Sequence, residues 1–336
     1  MSGDLPERGT EDSRGADAVP SSVPSAGPSS VPSAGPSSVP SAGPPSVPSA
    51  GPPSVPSAGP SAGPAAGSVA GPLTWLYVPA DRPDRIAKAL GGEADMVIVD
   101  LEDAVAPENK GVARAGVVAL LATPQPRVEV RVNDVRTPYG QADLHALATL
   151  LHGGGGLRVP KVESADEIRW IADAVPGVPL RPIIESALGL ERAFEIATSS
   201  PAVAGIGLGE ADLRADLGVT DEAGLTWARS RIVVAARAAG LPAPAQSVYT
   251  NVRDLDGLAA SCAVGRAMGF RGRAAIHPVQ LPVIAAAYRP AREEIVAALE
   301  VVSAADQGAV ALADGRFVDE AVVRQARRLL TDAGDH

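Results

Sequence analysis

Ionisable and polar side chains stand at the ends of short apolar runs between residues 73 and 278. Such runs are typical of buried strands in a parallel sheet, and the side chains that follow them gather at its carboxyl edge. These side chains are Asp100, Glu102, Asp103, Arg131, Asn133, Lys161, Glu163, Glu185, Glu210, Asp212 and His277. Carboxylates and cations in one place can bind a hard metal ion and stabilise negative charge that develops on a substrate.

Two of these acids follow neighbouring runs and are candidates for a metal site. Glu185 ends one run, and Asp212 lies three residues beyond the next. Mg²⁺ takes one or two protein carboxylates and completes its coordination with water and substrate oxygens. Acids also favour helix N-termini, so a capping role for Asp212 stays open at this stage.

Arg131 lies between two valines inside an apolar run, where a cation needs a partner. It can pair internally with an acid of the preceding run, or it can address a carboxylate or thioester oxygen of a substrate, and the two uses are compatible. We predict a supporting role for four nearby groups, which would orient Arg131 and water at the metal. These groups are Asp100, Glu102, Asp103 and Lys161.

Eight apolar runs alternate with Ala-rich helical segments, which predicts an α/β fold of the (β/α)₈ or TIM barrel type. The runs begin near residues 73, 96, 128, 157, 180, 204, 246 and 273. We assign residues 72–290 to the barrel and 291–336 to a C-terminal extension. The extension contains a predicted hairpin over 308–319 and a closing helix, which we expect to pack on a neighbouring subunit.

Residues 1–71 differ in composition from the rest of the chain. Ser, Pro, Ala, Gly and Val dominate, and the octad of residues 21–28 recurs with small changes up to residue 64. Each octad has too little apolar surface to offset chain entropy, which predicts a disordered N-terminal tail. It would act as a spacer or docking segment, or have no catalytic role.

Charge and apolar content exclude several classes of partner. The formal net charge is −10, which argues against nucleic-acid binding through bulk electrostatics. No signal-peptide core and no apolar run long enough for a membrane span is recognisable, and Cys262 is the only cysteine. We therefore expect no membrane association and a cytoplasmic location.

Seven motifs occur in a fixed order along the chain. They are WLYVPADRPDRIAKA from residue 75, DLEDAV from 100, RVN from 131, PKVE from 160, IES from 184, GLGEADL from 207 and AIHPVQ from 275. With these motifs, residues 73–331 resemble the citrate lyase β-subunit-like branch of the HpcH/HpaI aldolase family. The resemblance implies a Mg²⁺-dependent barrel, commonly a trimer. Such proteins cleave or form carbon–carbon bonds in 3-hydroxyacyl-CoA thioesters such as citryl-, malyl- and citramalyl-CoA.

The same resemblance implies roles for individual residues. Glu185 and Asp212 would bind the metal, with Glu185 also at the substrate, and Arg131 would bind the substrate and stabilise the thioester enolate. Asp319 would enter a neighbouring subunit's site as acid and base, and Arg82 and Lys88 would face the CoA phosphates. The partners implied are a CoA thioester, a 2-oxo acid and further copies of the chain. Two alternatives remain open, an aldolase acting on free 2-oxo acids without CoA and a non-catalytic barrel scaffold.

Overall fold

The computed structural model describes residues 71–151, 155–307, 311–312 and 314–334. Except for Gly71, the predicted disordered tail therefore lies outside the described residues. Among the described residues, no helix is both long enough and apolar enough to cross a membrane.

Seven parallel strands form one sheet in the order β6-β5-β4-β3-β2-β1-β7. The strands are β1 (Thr74–Pro79), β2 (Met96–Asp100), β3 (Val128–Arg131), β4 (Gly156–Val159), β5 (Leu180–Ile184), β6 (Gly207–Leu208) and β7 (Arg273–Ala275). The last strand pairs with the first, through Thr74 with Arg273 and Leu76 with Ala275. The sheet consequently curls, and the carboxyl ends of its strands face one region.

The predicted seventh run, residues 246–250, does not form a strand, so the described sheet has seven strands rather than eight. Gln246 makes only an isolated bridge to Arg273. Pro242 and Pro244, just before it, supply no N–H group for a longer ladder. On its other side, the hydroxyl of Ser247 donates to the carbonyl of Leu208, in place of a backbone ladder to β6.

Helices follow the strands in alternation, as predicted. They are α1 (Pro83–Leu90), α2 (Lys110–Leu121), α3 (Pro138–Leu147), α4 (Ala165–Ala174), α5 (Ala187–Glu191), α6 (Ala193–Ala197), α7 (Glu210–Leu217), α8 (Thr226–Ala238), α9 (Leu255–Met268), α10 (Leu281–Tyr288), α11 (Arg292–Asp306) and α12 (Glu320–Ala333). The predicted fifth helix is divided in two at Arg192, and the predicted sixth begins as a 3₁₀ turn over Glu222–Leu225 before α8.

The two faces of the curled sheet differ in chemistry. Alternate strand residues such as Val97, Val99 and Val130 are fully buried in the large core shared with the helices. The opposite, concave face carries a small separate cluster of Trp75, Ile98 and Ala274, together with charged side chains. This sheet therefore has its large apolar core on the outer face, against the helices, and carries charged groups on its inner face.

The C-terminal extension has a small core of its own. Helices α11 and α12 pack around Val301, Val318 and Val323. The predicted hairpin is represented by one antiparallel bridge between Ala311 and Phe317, while residues 308–310 and 313 lie outside the described part. Ion pairs of 2.8 Å between Arg266 and Glu294 and of 3.4 Å between Arg271 and Asp332 join the extension to the barrel-like part.

Pairing of β7 with β1 depends on Gly272. Its φ of +79° is unfavourable for other residues, and a Cβ there would lie 2.3 Å from the carbonyl oxygen of Leu73. Gly177 has the same φ of +79°, but a Cβ there would meet nothing within 4 Å. Comparing substitutions at Gly272 and Gly177 therefore separates the cost of the contact with Leu73 from the cost of the backbone conformation.

We expect Gly177→Ala to lower the free energy of unfolding by about 1–2 kcal/mol, the cost of the left-handed conformation. Gly272→Ala should lower it by about 1–3 kcal/mol more, because the neighbouring strand must also shift. Urea unfolding followed by circular dichroism measures both values. Equal losses in the two variants would show that the contact with Leu73 does not limit the pairing of β7 with β1.

Candidate functional site

A cavity of about 1250 Å³ opens at the carboxyl ends of the strands and continues onto the concave face of the sheet. Asp100, Arg131, Glu185 and Asp212 line it near the strand ends, and Arg158 lines it on the concave face. The fold therefore places the predicted metal pair and the predicted cation in one cavity.

Glu185 and Asp212 reach this cavity from successive βα units. Glu185 directly follows β5, and Asp212 lies in the first turn of α7. The Glu185 side chain is only 5% exposed, whereas that of Asp212 is 48% exposed. Gly209 leaves room for the buried carboxylate, because a Cβ at that position would lie 2.2 Å from Glu185 Oε1.

Lys161 lies between the two carboxylates. Its Nζ is 3.4 Å from Asp212 Oδ2 and 4.0 Å from Glu185 Oε2, and it donates a hydrogen bond of 2.6 Å to Glu102 Oε1. Its backbone N–H donates to Glu185 Oε2 at 2.9 Å. Both carboxylates therefore converge on a volume small enough for one ammonium group to contact them.

Lys161 makes these contacts from an unfavourable backbone conformation. Its φ is +57°, and no other non-glycine residue among those described has a positive φ. The left-handed region costs an L-residue about 1–2 kcal/mol, so the surrounding contacts must hold it there. This conformation directs both the backbone N–H and the ammonium of one residue toward the acids.

The site carries more buried negative charge than its cations balance. Burial, reinforced by the charge of Glu102, raises the pKa of Glu185 to about 8, although Lys161 opposes the shift. Burial also raises the pKa of Glu102, against the effect of Arg131 and Lys161. For Lys161, burial acts to lower the pKa, but the hydrogen bond and charge of Glu102 outweigh it and raise the pKa. An additional cation at Glu185 would favour the ionised carboxylates.

The donor set fits Mg²⁺ better than a transition metal. Glu185 and Asp212 offer oxygen ligands only, and within the part of the chain that the structure describes no group of three or more His, Cys, Asp and Glu is arranged to hold a metal. Zinc sites usually use at least three protein ligands, commonly with nitrogen or sulfur donors. Mg²⁺ keeps several positions for water and substrate, which agrees with a pair of carboxylates in an open cavity.

Arg131 pairs with all three acids that the sequence offered as partners. Its Nε and Nη2 each donate to Asp100 at 2.7 Å, and Nη1 lies 2.9 Å from Glu102 and 3.6 Å from Asp103. Its guanidinium lies over the Tyr77 ring, 5.0 Å from the centroid. The group has five N–H donors, so this pairing leaves donors for a substrate oxygen. Internal pairing and a substrate role are therefore compatible in the structure.

Four residues named in the sequence interpretation do not line this cavity in their own chain. Arg82 is exposed beside Asp84, and Lys88 is exposed on α1, and neither lines the cavity. Asp319 caps α12 by accepting a 2.9 Å hydrogen bond from the N–H of Val322, and it does not line the cavity of its own chain. His277 accepts a 3.2 Å hydrogen bond from the N–H of Val279 at a 3₁₀ turn, which is a structural role.

The cavity also brings in arginines that the sequence interpretation did not assign. Arg85 lies on α1 one helical turn beyond Arg82, and it lines the cavity in place of Arg82. Arg158 lines it from β4. Its position inside an apolar run could have identified it from the sequence as a candidate site residue. Arg214 and Arg229 also line it, and both pair with Glu222 at 2.6 Å.

Known proteins are similar to this chain in sequence and fold. The family model described as HpcH/HpaI aldolase/citrate lyase matches residues 73–278. A (3S)-malyl-CoA thioesterase of Cereibacter sphaeroides is 37% identical over 77% of this chain and 93% of its own length. The mitochondrial citramalyl-CoA lyase of Homo sapiens is 32% identical over 76% of this chain and 84% of its own length.

A solved structure of a related protein has the same fold. The crystal structure of CitE from Mycobacterium tuberculosis in complex with magnesium, acetoacetate and coenzyme A matches with a TM-score of 0.69 and 35% identity. The match covers 79% of this chain and 98% of that protein. By sequence and fold, this chain belongs to the HpcH/HpaI aldolase/citrate lyase family.

Proposed function

We propose that this protein is a Mg²⁺-dependent carbon–carbon lyase that cleaves or forms a 3-hydroxyacyl-CoA thioester of the citryl-, malyl- or citramalyl-CoA type. The convergence of Glu185 and Asp212 on one small volume beside Arg131 carries the proposal. Relatives named citrate lyase subunit beta and citramalyl-CoA lyase, and a CitE structure with magnesium and coenzyme A, support it. The proposal includes closure of the curled sheet into a (β/α)₈ barrel.

Cleavage of such a thioester leaves negative charge on an enolate and releases a 2-oxo acid. Mg²⁺ held by Glu185 and Asp212 would supply a Lewis acid for the oxygens of the oxo acid. Arg131 would direct its remaining N–H groups at the enolate oxygen, and its hydrogen bonds to Asp100 fix the orientation of the guanidinium. Lys161 holds Glu102 and Glu185 in place through its ammonium and its backbone N–H.

Asp319 would complete the site from a neighbouring subunit of a homo-oligomer such as a trimer, and would exchange a proton with the acetyl-CoA carbon. Its exposed position at the start of α12, outside its own chain's cavity, is compatible with that role. Arg85 lines the cavity, and it would bind the CoA phosphates together with Arg82, just before α1, and Lys88, on α1.

A thioesterase is the second candidate, because Cereibacter sphaeroides proteins 37% identical to this chain are named (3S)-malyl-CoA thioesterase. The same site would then direct water at the thioester carbonyl. The products separate the two reactions, since malyl-CoA gives acetyl-CoA and glyoxylate with a lyase, and malate and free CoA with a thioesterase.

The test is incubation with malyl-, citramalyl- and citryl-CoA, with and without Mg²⁺. We expect Mg²⁺-dependent release of acetyl-CoA from at least one thioester. Glu185→Gln and Asp212→Asn should lower the rate by at least about 100-fold, because each removes a charged ligand from the metal. Chromatography of the CoA products gives the rates, and calorimetry gives Mg²⁺ affinity.

Asp216→Asn is the matched control. Asp216 lies one turn beyond Asp212 on α7, is exposed, and accepts a hydrogen bond from the N–H of Ala187 rather than lining the cavity. The control should keep both rate and affinity. Full activity in either ligand variant would contradict the metal assignment, and free CoA as the main product would favour the thioesterase.

A complementation experiment tests the role of Asp319 across subunits. Asp319→Asn and Asp212→Asn should each be inactive alone. Co-assembled oligomers should regain roughly a quarter of wild-type activity, because one site in four then combines an intact barrel with an intact neighbour. No recovery in mixed oligomers would place Asp319 in the site of its own chain, and undiminished activity of Asp319→Asn would exclude the acid and base role.

A further inference from the structure

The first turn of α7 carries two acids, Glu210 and Asp212, that meet different partners. Glu210 pairs with Arg229 of α8, whereas Asp212 contacts Lys161. Successive residues of an α-helix are about 100° apart around its axis, so side chains two apart point to nearly opposite sides. A contact that holds Glu210 against α8 therefore turns Asp212 away from α8.

The pair of Glu210 and Arg229 has the geometry of a strong ion pair. Arg229 Nε donates to Glu210 Oε1 at 2.9 Å, and Nη2 donates to Oε2 of the same carboxylate. The two side chains are only 11% and 14% exposed, so water screens the pair weakly. Two parallel charge-assisted hydrogen bonds fix the orientation of both groups. Both oxygens of Glu210 accept from one guanidinium, which leaves Asp212 as the acid of this turn that is available to a metal.

Arg229 is itself held from a second side. Its Nη2 also donates to Glu222 Oε2 at 2.6 Å, in the 3₁₀ turn that precedes α8. Arg214 of α7 donates to the other oxygen of Glu222 at 2.6 Å. The hydrogen bond to Glu210 raises the pKa of Arg229 although burial opposes the shift. Two arginines and two carboxylates thus form a charge-balanced group that joins α7 to α8.

Few other contacts fix the first turn of α7. Gly209 precedes the helix and has no side chain to cap it, and Leu213 is its only buried residue. The contact of Asp212 with Lys161 is longer than the Arg229 pair, at 3.4 Å, and the Asp212 side chain is 48% exposed. The bidentate pair with Arg229 is therefore the principal polar contact that holds this turn in place.

We propose that Arg229 is a positioning residue for the metal site, which fixes the first turn of α7 through Glu210 and so directs Asp212 toward the metal position beside Glu185. This inference rests on the proposed function, which assigns Glu185 and Asp212 to Mg²⁺. The carboxylates that Arg229 contacts are those of Glu210 and Glu222, so its effect on Asp212 passes through the backbone of α7. Groups that orient metal ligands from outside commonly contribute about 10–100-fold to metal affinity.

Titration with Mn²⁺ followed by electron paramagnetic resonance, which measures the free ion, gives the metal affinity of each variant. Arg229→Gln should weaken binding by at least about tenfold. The direction of the change is diagnostic, because loss of a nearby positive charge would by itself strengthen the binding of a cation. Arg229→Lys keeps the charge but cannot form the bidentate pair, and it should weaken binding by at least about threefold.

A double-mutant cycle shows whether Arg229 acts through Asp212. In the Asp212→Asn background, Arg229→Gln should change the affinity by less than about twofold, because the ligand that it positions is already lost. Urea unfolding without metal shows that the variants are folded, and Arg229→Lys carries the test if Arg229→Gln does not fold.

Arg237→Gln is the matched control, since it removes the same charge from the same helix. Arg237 is exposed in the last turn of α8 and does not line the cavity, so the affinity should stay within about twofold of wild type. Binding as tight as wild type in the Arg229 variants would overturn the inference, and so would an equal loss in the Asp212→Asn background. Wild-type affinity in Asp212→Asn itself would instead count against the proposed function, which distinguishes the two failures.

Discussion

Charge balance at the carboxyl edge of the sheet is the constraint on which the rest of the site depends. Asp100, Glu102, Glu185 and Asp212 meet there, with Arg131 and Lys161 as the cations between them. Buried like charges are expensive unless cations lie among them. Burial and the charge of Glu102 raise the pKa of Glu185, and Lys161 contacts these acids from a left-handed backbone conformation. Two cations leave an excess of negative charge among the four carboxylates. A dication at Glu185 and Asp212 would offset it.

The concave face has the opposite sign a short distance away. Glu129 is paired with both Arg158 and Arg181, and of these two arginines Arg158 lines the cavity. The same sheet creates both environments, because strand alternation sends the valines outward to the helices and the charged residues inward.

Sequence reasoning predicted much of this arrangement and missed specific parts. The alternation of apolar runs and helices predicted the parallel α/β fold, because buried strands and amphipathic helices carry distinct periods. It also placed Glu185 near Asp212 and gave Arg131 its acidic partners, since strand ends in a parallel sheet meet at one edge. The prediction of a strand at 246–250 was wrong. Apolar content does not reveal that the Ser247 hydroxyl bonds to the Leu208 carbonyl where a backbone ladder to β6 was expected.

Other features depend on three-dimensional register and were out of reach of local patterns. The positive φ of Lys161 arises from contacts with Glu102 and Glu185, which are distant in sequence. Glu129, Arg158 and Arg181 form a charged cluster that the sequence could have indicated, since each of them interrupts an apolar run. Only the pairing of the strands shows that two of these cations share one carboxylate. Similarly, only the structure shows that Arg85, within α1, lines the cavity and that Arg82, which precedes the helix, does not.

The most direct test of the account is a crystal structure of the protein with Mn²⁺ in place of Mg²⁺, using anomalous scattering to locate the metal. The account predicts one strong anomalous peak bound by carboxylate oxygens of both Glu185 and Asp212, with Lys161 still bonded to Glu102. A peak elsewhere in the cavity, or a fully ordered Glu185 and Asp212 with no peak at saturating Mn²⁺, would contradict it.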